Sequence, residues 1–159
     1  MKQKIFVSVG THPQGFNRLI GKLDEIVPCL AAEVFAQTGN SGYEPKNFPF
    51  KKFLTEKEFQ GKVLQADIVI SHGGAGTIIN SMLQGKKLIV VPRLKAFSEH
   101  TNDHQLDLAK ALEQEGKCIA VFGIKSLGKA IESAKAFKPR IASTKENLIR
   151  EIKEFIEAA

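Results

Sequence analysis

Between Ser71 and Asn80 the chain runs SHGGAGTIIN, with glycine at 73, 74 and 76. Glycine loses more backbone freedom on folding than any other residue, so such density implies a conformation or close approach that side chains would block. A strand ending in Ser71 and His72 that turns through Gly73, Gly74, Ala75 and Gly76 and opens a helix at Thr77 presents unpaired backbone N–H groups. The positive end of the helix dipole lies at the same place, which makes it a seat for an anion. A diphosphate is the natural guest. The same residues also suit a ligand-free turn with close helix–strand packing. Two common phosphate loops are excluded, because GxGxxG would need glycine at Ile79 and no Gly-Lys-Ser/Thr follows.

A second stretch, SVGTHPQGFNRL, makes another strand-to-helix tip from Gly10, Thr11 and His12. An imidazole titrates near neutral pH, so His12 is a candidate general base. A loop histidine that caps a helix or binds water is the commoner case. In the third, VPRLKAFSEHTNDHQLDLA, Arg93 follows a strand end, where a guanidinium can pair with phosphate or carboxylate. Glu99, His100, Asn102, Asp103, His104 and Gln105 crowd the approach to a helix, giving the mixed donors and acceptors that sugar hydroxyls require. His100 and His104 stand four apart, but the pattern is not HExxH, and Asn102 and Asp103 serve equally well as helix caps. There is no Asp-x-Asp to hold a divalent ion. The expectation is no metal and no cofactor, with charge on a nucleotide met by the helix dipole and basic side chains.

The elements that must position these loops alternate along the whole chain. KIFVSVG, AEVFAQTG, FPFKKFL, ADIVISHGG, KKLIVVPR and KCIAVFG are strand candidates, apolar or β-branched and closed by turn residues. Phe16, Leu19, Ile20, Leu23, Ile26 and Val27 recur at helical spacing up to Pro28, which marks the end. EKEFQGKVLQA follows Thr55, with Glu58 three residues on as a capping box. GTIINSMLQG stops at Gly85, and NDHQLDLAKALEQEG stacks Leu106, Ala109 and Leu112 on one face. SLGKAIESAKAF and STKENLIREIKEFIEAA close the chain, the latter with Leu148, Ile149, Ile152 and Ile156 on its apolar side. This order predicts βαβ units in one doubly wound, Rossmann-like α/β domain over residues 1–159, with a mostly parallel sheet and helices on both faces. Ligands in such sheets bind beyond the carboxyl ends of the strands, where strand order reverses.

Composition narrows the classes. At 43% hydrophobic and 25% charged, the 159 residues describe a folded domain rather than a disordered one. The net charge of +6 fits an anionic partner as well as a merely solvated basic surface. The lysines are dispersed without interleaved aromatics, which argues against nucleic acid. Cys29 and Cys118 lie far apart, are expected in the core, and fit a reducing compartment. No apolar run approaches the roughly 20 residues of a membrane helix, and the IFVSV run, which leads straight into GTH, is too short to be expected as a signal peptide.

Taken in order, IFVSVGTHPQGFNRLI, AQTGNSGYEPKN, DIVISHGGAGT and VPRLKAFSEHTNDHQLDLAKAL resemble the donor-binding half of inverting GT-B glycosyltransferases of family 28 type. The resemblance covers about the first 115 residues and is strongest to small subunits of two-subunit bacterial exopolysaccharide and capsule transferases. The donor-binding subunit of the dolichol-linked N-acetylglucosaminyltransferase is similar. The resemblance implies a UDP-sugar whose diphosphate lies near Gly10, Thr11, His72, Gly73, Gly74, Ala75, Gly76 and Thr77. It places the donor sugar against Asn102, Asp103, His104 and above all Gln105. It also implies that a membrane-anchored partner supplies the acceptor half, a polyprenyl-linked acceptor and the general base, with this chain peripheral at the cytoplasmic face. His12 is then the second choice for the base. One position departs from the pattern: the family's ribose-binding glutamate is matched here by Asn80, which lacks a carboxylate's charge and second acceptor oxygen. That departure keeps a second expectation open, a non-catalytic nucleotide-sugar-binding module that regulates a partner.

Overall fold

The structure, a computed structural model, describes residues 2–140 and 144–158, with the side chains of its last helix as far as Glu154. Strands β1 (Gln3–Ser8), β2 (Ala32–Gln37), β3 (Phe50–Lys51), β4 (Ile68–Ser71), β5 (Lys87–Val90) and β6 (Ile119–Ala120) form one sheet. Its order is β3-β2-β1-β4-β5-β6 and every pairing is parallel. Helices α1 (Asn17–Ile26), α2 (Glu56–Gln65), α3 (Ala75–Leu83), α4 (His104–Gln114), α5 (Leu127–Ala134) and α6 (Lys145–Ala158) cover it. This is the doubly wound α/β architecture that the alternating pattern predicts.

Strand side chains alternate between two cores because successive Cβ atoms point to opposite faces of a sheet. Ile5, Val7, Val9, Ile68, Ile70, Ile89 and Val91 pack beneath Phe16, Leu19, Ile20 and Leu23 of the α1 segment and Leu127 and Ile131 of α5. Phe6, Val69, Leu88 and Val90 face the other way, against Val63 of α2, Ile78 of α3, Leu108, Ala109 and Leu112 of α4, and Leu148 and Ile152 of α6. A sheet buried on both faces needs near-continuous apolar strands, which is what KIFVSV, DIVI and KLIVV supply. The chain leaves β1 towards β2 on one side and returns at β4 on the other. The carboxyl ends of β1 and β4 therefore frame the switch point.

Several boundaries differ from the sequence expectations. The runs FPFKKFL and KCIAVFG contribute only Phe50–Lys51 and Ile119–Ala120. Both are edge strands with a single neighbour, so their ladders end where that neighbour turns away. Helix α3 begins at Ala75 with Gly74 as N-cap, two residues before Thr77. Pro28 sits inside a 3-10 turn, Val27–Cys29, that carries Cys29 to the surface while Val27 takes the core position. Only Cys118 is a core thiol; burial and the nearby Glu113 push its pKa up to about 12. Ser143, Ala159 and the side chain of Ile156 lie outside the described residues.

Two polar anchors set helices against loops. Thr55 and Glu58 close the capping box reciprocally at the start of α2. Asp24, buried on α1, accepts the Tyr43 hydroxyl at 2.7 Å and the backbone N–H groups of Lys46 and Asn47 at 3.0 and 2.8 Å. Burial works to raise its pKa, but those hydrogen bonds outweigh it and hold the carboxyl below the usual carboxylate range. Residues 43–47 lack regular structure, so this carboxylate does what a ladder would do elsewhere. Replacing Asp24 by Ala is expected to lower stability by about 3 kcal/mol, since several donors lose one charged acceptor together. Urea unfolding of the two proteins checks this; a change within 0.5 kcal/mol, about the size of a neutral surface substitution, would count against the anchor.

Candidate functional site

A cleft of about 530 Å³ opens where β1 and β4 diverge. Its floor and one wall come from Ser8, Gly10, Thr11, His12 and Gln37, at and beyond the ends of β1 and β2. His72, Gly74, Gly76, Thr77 and Asn80 supply the wall formed by the β4–α3 turn and α3. Leu54, Glu56 and Phe59, just before and within α2, close the third side. The structure thus brings eight of the candidate residues onto one surface. No side chain caps α3, so the N–H groups of its first turn are left to solvent or a ligand in the cleft.

The glycines of this turn are explained first by the protein's own side chains. The buried His72 ring lies between the two loops, its Nδ1 3.2 Å from the Ser8 carbonyl oxygen. A carbonyl only accepts, so Nδ1 carries the proton and Nε2 keeps its lone pair. A Cβ at Gly10 would stand 2.7 Å from Nε2, and one at Gly74 only 2.2 Å. Gly73, at φ +92°, would bring its Cβ within 3.0 Å of the Gln105 Cβ. At these three positions the space a Cβ would need is already taken by His72 and Gln105. Gly76 differs: a Cβ there meets nothing within 4 Å. It alone of the three glycines at 73, 74 and 76 leaves unfilled space on the cleft wall. Burial, helped by the Arg93 charge, lowers the His72 pKa to about 4, so the ring is neutral at physiological pH.

His12 sits at the rim, its ring stacked on His100 with centroids 4.7 Å apart. Its Nδ1 accepts the Gln14 N–H at 3.1 Å. Burial, then the charges of Arg93 and His100, lower its pKa and favour the neutral ring, which with Nδ1 accepting carries its proton on Nε2. That makes the free edge of His12 a donor. In this arrangement the Nδ1 lone pair is engaged by backbone, and a general base at His12 would need Nε2 to carry the free lone pair instead.

Arg93 needs a fuller correction. It is 1% exposed and donates to the carbonyl oxygens of Gln14 at 2.7 Å, Gly15 at 3.2 Å, Glu99 at 3.1 Å and Val9 at 2.6 Å. No face of it is offered to a phosphate. Burial lowers its pKa to about 10, opposed by the Glu99 carboxylate. Glu99 is likewise committed, accepting both Arg18 Nε and Nη2 at 3.0 Å and the Leu94 N–H. Gln105 Oε1 accepts the Arg93 N–H at 3.0 Å, which leaves its Nε2 as the donor end. Asn102 Oδ1 takes the His104 N–H and Asp103 takes the Lys95 N–H, so both order the entry to α4. Asn102 to Gln105 do not line the 530 Å³ cleft; Gln105 lies against Gly73 behind its wall, and the neighbouring His100 stacks on His12 at its rim. Among the described residues, no group of three or more His, Cys, Asp or Glu can hold a metal ion.

Sequence reasoning missed Ser8, Gln37, Leu54, Glu56 and Phe59 as cleft residues. Gln37 could have been found, because it ends a strand on the same edge as the two loops. Glu56 reads in sequence as an ordinary acidic residue of a helix's first turn, and nothing local marks it otherwise.

Residues 4–158 match the model of the glycosyltransferase family 28 C-terminal domain. The chain belongs to this family. The match extends the sequence resemblance to include α5 and α6. The mouse UDP-N-acetylglucosamine transferase subunit ALG13 is 33% identical over 125 residues, 72% of this chain, which spans about a tenth of that relative's length. The solution structure of ALG13 superposes with a TM-score of 0.66 at 18% identity, covering 98% of this chain and 97% of that one. The Streptomyces sp. SF2575 glycosyltransferase SsfS6, complexed with thymidine diphosphate, gives 0.61 at 18% identity over 99% of this chain and 38% of its own. At such identities the likeness is one of fold.

Two outcomes follow for this family 28 domain. Folding lowers the His72 pKa from its ordinary value of 6.5 to about 4, so the unfolded chain binds the extra proton between those limits. Stability is complete above pH 6.5 and falls as pH drops through that window, by ~3 kcal/mol from this residue. Urea unfolding at pH 7 and 4.5 should show a pH difference smaller in His72→Gln than in the parent; an equal difference removes His72 as its source. Arg93→Met is expected to cost about 3–5 kcal/mol without any nucleotide present, because four carbonyls lose a buried cation. A thermal midpoint unchanged in the absence of nucleotide would return Arg93 to a ligand-binding role.

Proposed function

We propose that this chain is the donor-binding subunit of an inverting glycosyltransferase that takes its sugar from a UDP-sugar. The sugar is of the class of N-acetylglucosamine, galactose or glucuronic acid, and the acceptor is lipid-linked. The single observation that carries this reading is the uncapped N-terminus of α3, with Gly76 leaving open space on the cleft wall. A diphosphate there would meet backbone N–H groups and the helix dipole, and the same groups would stabilise the charge that develops as the diphosphate leaves. His12 Nε2–H adds a donor at the rim. Leu54 and Phe59 offer an apolar wall for a base.

The name of the mouse relative, a transferase subunit, supports a second polypeptide that supplies the acceptor half and the general base. This reading assigns attachment at the cytoplasmic face to that partner; among the described residues no helix of this chain is long and apolar enough to cross a membrane. A non-catalytic nucleotide-sugar-binding module is the second reading. It is favoured by one observation: the Asn80 Oδ1 already accepts Gln60 at 2.8 Å, so Asn80 offers less acceptor capacity than the family's glutamate, whose carboxylate has two oxygens and a charge.

Calorimetric titration with UDP, GDP and ADP tests the donor site. Selective UDP binding is expected, weakened at least tenfold in Gly76→Asp, where the new carboxylate suits the helix N-terminus but repels the diphosphate. Gly74→Val is unsuitable, since its Cβ would displace His72. No binding of any of the three nucleotides, or full binding to Gly76→Asp, would defeat the donor reading. Binding without transfer in the presence of the partner subunit would favour the second reading.

A further inference from the structure

Three side chains at the α2–α3 boundary form a chain whose hydrogen-bond polarity is set from one end. Gln60 Nε2 lies 3.2 Å from Glu56 Oε1 and 2.8 Å from Asn80 Oδ1. An ionised carboxylate only accepts, so the Gln60 group facing it is the NH2 end. The same nitrogen faces Asn80, which must therefore present its oxygen to Gln60. Asn80 then keeps its Nδ2 as a free donor, while one lone pair of its Oδ1 is engaged by Gln60. Glu56 and Asn80 both line the cleft beside Thr77. Among the described cleft-lining residues Glu56 is the only carboxylate. It is not needed as a cap, because Thr55 and Glu58 already close the capping box.

A vicinal diol presents two hydroxyl protons and two oxygens, so it needs an acceptor and a donor side by side. Asn80 Nδ2 can supply only the donor. We propose that Glu56 is the specificity-determining acceptor for the ribose diol of the nucleotide, with its other oxygen taking the hydroxyl protons while Asn80 donates to a hydroxyl oxygen. The acceptor function thus resides on α2, with Gln60 holding Glu56 and Asn80 in one register. This inference rests on the nucleotide reading of the cleft. It adds that the site selects a ribonucleotide through Glu56.

The test is calorimetric titration with UDP and with 2′,3′-dideoxy-UDP, for the parent chain, Glu56→Gln and Gln60→Ala. The parent is expected to prefer UDP by about tenfold, the size of a charge-assisted bond pair set against competing water. In Glu56→Gln that preference should fall to near one while dideoxy-UDP binds as before or slightly tighter. Gln60→Ala should reduce the preference partly. A general electrostatic effect of the lost charge moves both ligands together and leaves the ratio intact, so an intact ratio in Glu56→Gln overturns the proposal. A parent that binds UDP and dideoxy-UDP equally overturns it while leaving the donor site standing. A parent that binds neither ends both. Glu56 is exposed, and an unchanged thermal midpoint of Glu56→Gln confirms that the comparison is between folded proteins.

Discussion

The loops at the carboxyl edge of the sheet depend on one buried cation. Arg93 leaves the end of β5 and donates to carbonyls of the β1–α1 loop at Val9, Gln14 and Gly15, and of the β5–α4 loop at Glu99. Burying a guanidinium costs several kcal/mol. Four bonds to a charged donor, at about 1.5–3 kcal/mol each, offset it. The Arg93 Nε stays unpartnered, so the arrangement is not optimal for stability. What it secures is geometry: two loops without regular structure are tied to one strand end. Glu99 extends the tie to α1 through Arg18, and Arg18 in turn stacks over Phe97 at 4.8 Å.

That frame places His72. The ring fills the space between Gly10 and Gly74, so neither loop can shift without the other. The nearby positive charge of Arg93 also opposes its protonation, as burial does. A neutral imidazole at the foot of a helix N-terminus preserves the dipole's attraction for an anion without adding a charge that would itself need burying. The glycines commonly credited to a phosphate are in this chain divided between two tasks. Gly73 and Gly74 admit Gln105 and His72; Gly76 keeps the wall open.

Polarity across the cleft is arranged by helices packed on the same face of the sheet. Helices α2 and α3 lie side by side over the Phe6, Val69 and Leu88 layer, and Phe59 meets Phe6 edge-on at 5.4 Å. That packing sets the distance at which Gln60 can span Glu56 and Asn80. The surroundings of Asn80 on α3 therefore include side chains of α2.

The architecture was legible in the chain because its signals are local and periodic. KIFVSV, DIVI and KLIVV can only be strands buried on both faces, and Thr55 with Glu58 marks a helix start whatever surrounds it. The strand-to-helix turns at Gly10 and at Gly73–Gly76 were equally plain, since glycine density records a backbone constraint. What filled that constraint was not plain: a missing Cβ reports that something approaches and is silent on whether it is a ligand or a histidine. Arg93 looked available to a phosphate or carboxylate because its partners, carbonyls up to 84 positions away in sequence, carry no side-chain signature. Cys29 looked like core because its turn direction depends on Val27 claiming the interior. Glu56 was invisible because its place on the cleft exists only once α2 and α3 are packed together. Periodicity and backbone cost are written residue by residue, so the sequence determined the elements and the edge of the sheet where a site would form. Which groups meet there, and which end of each amide and imidazole is free, is decided by long-range contacts that only the folded chain contains.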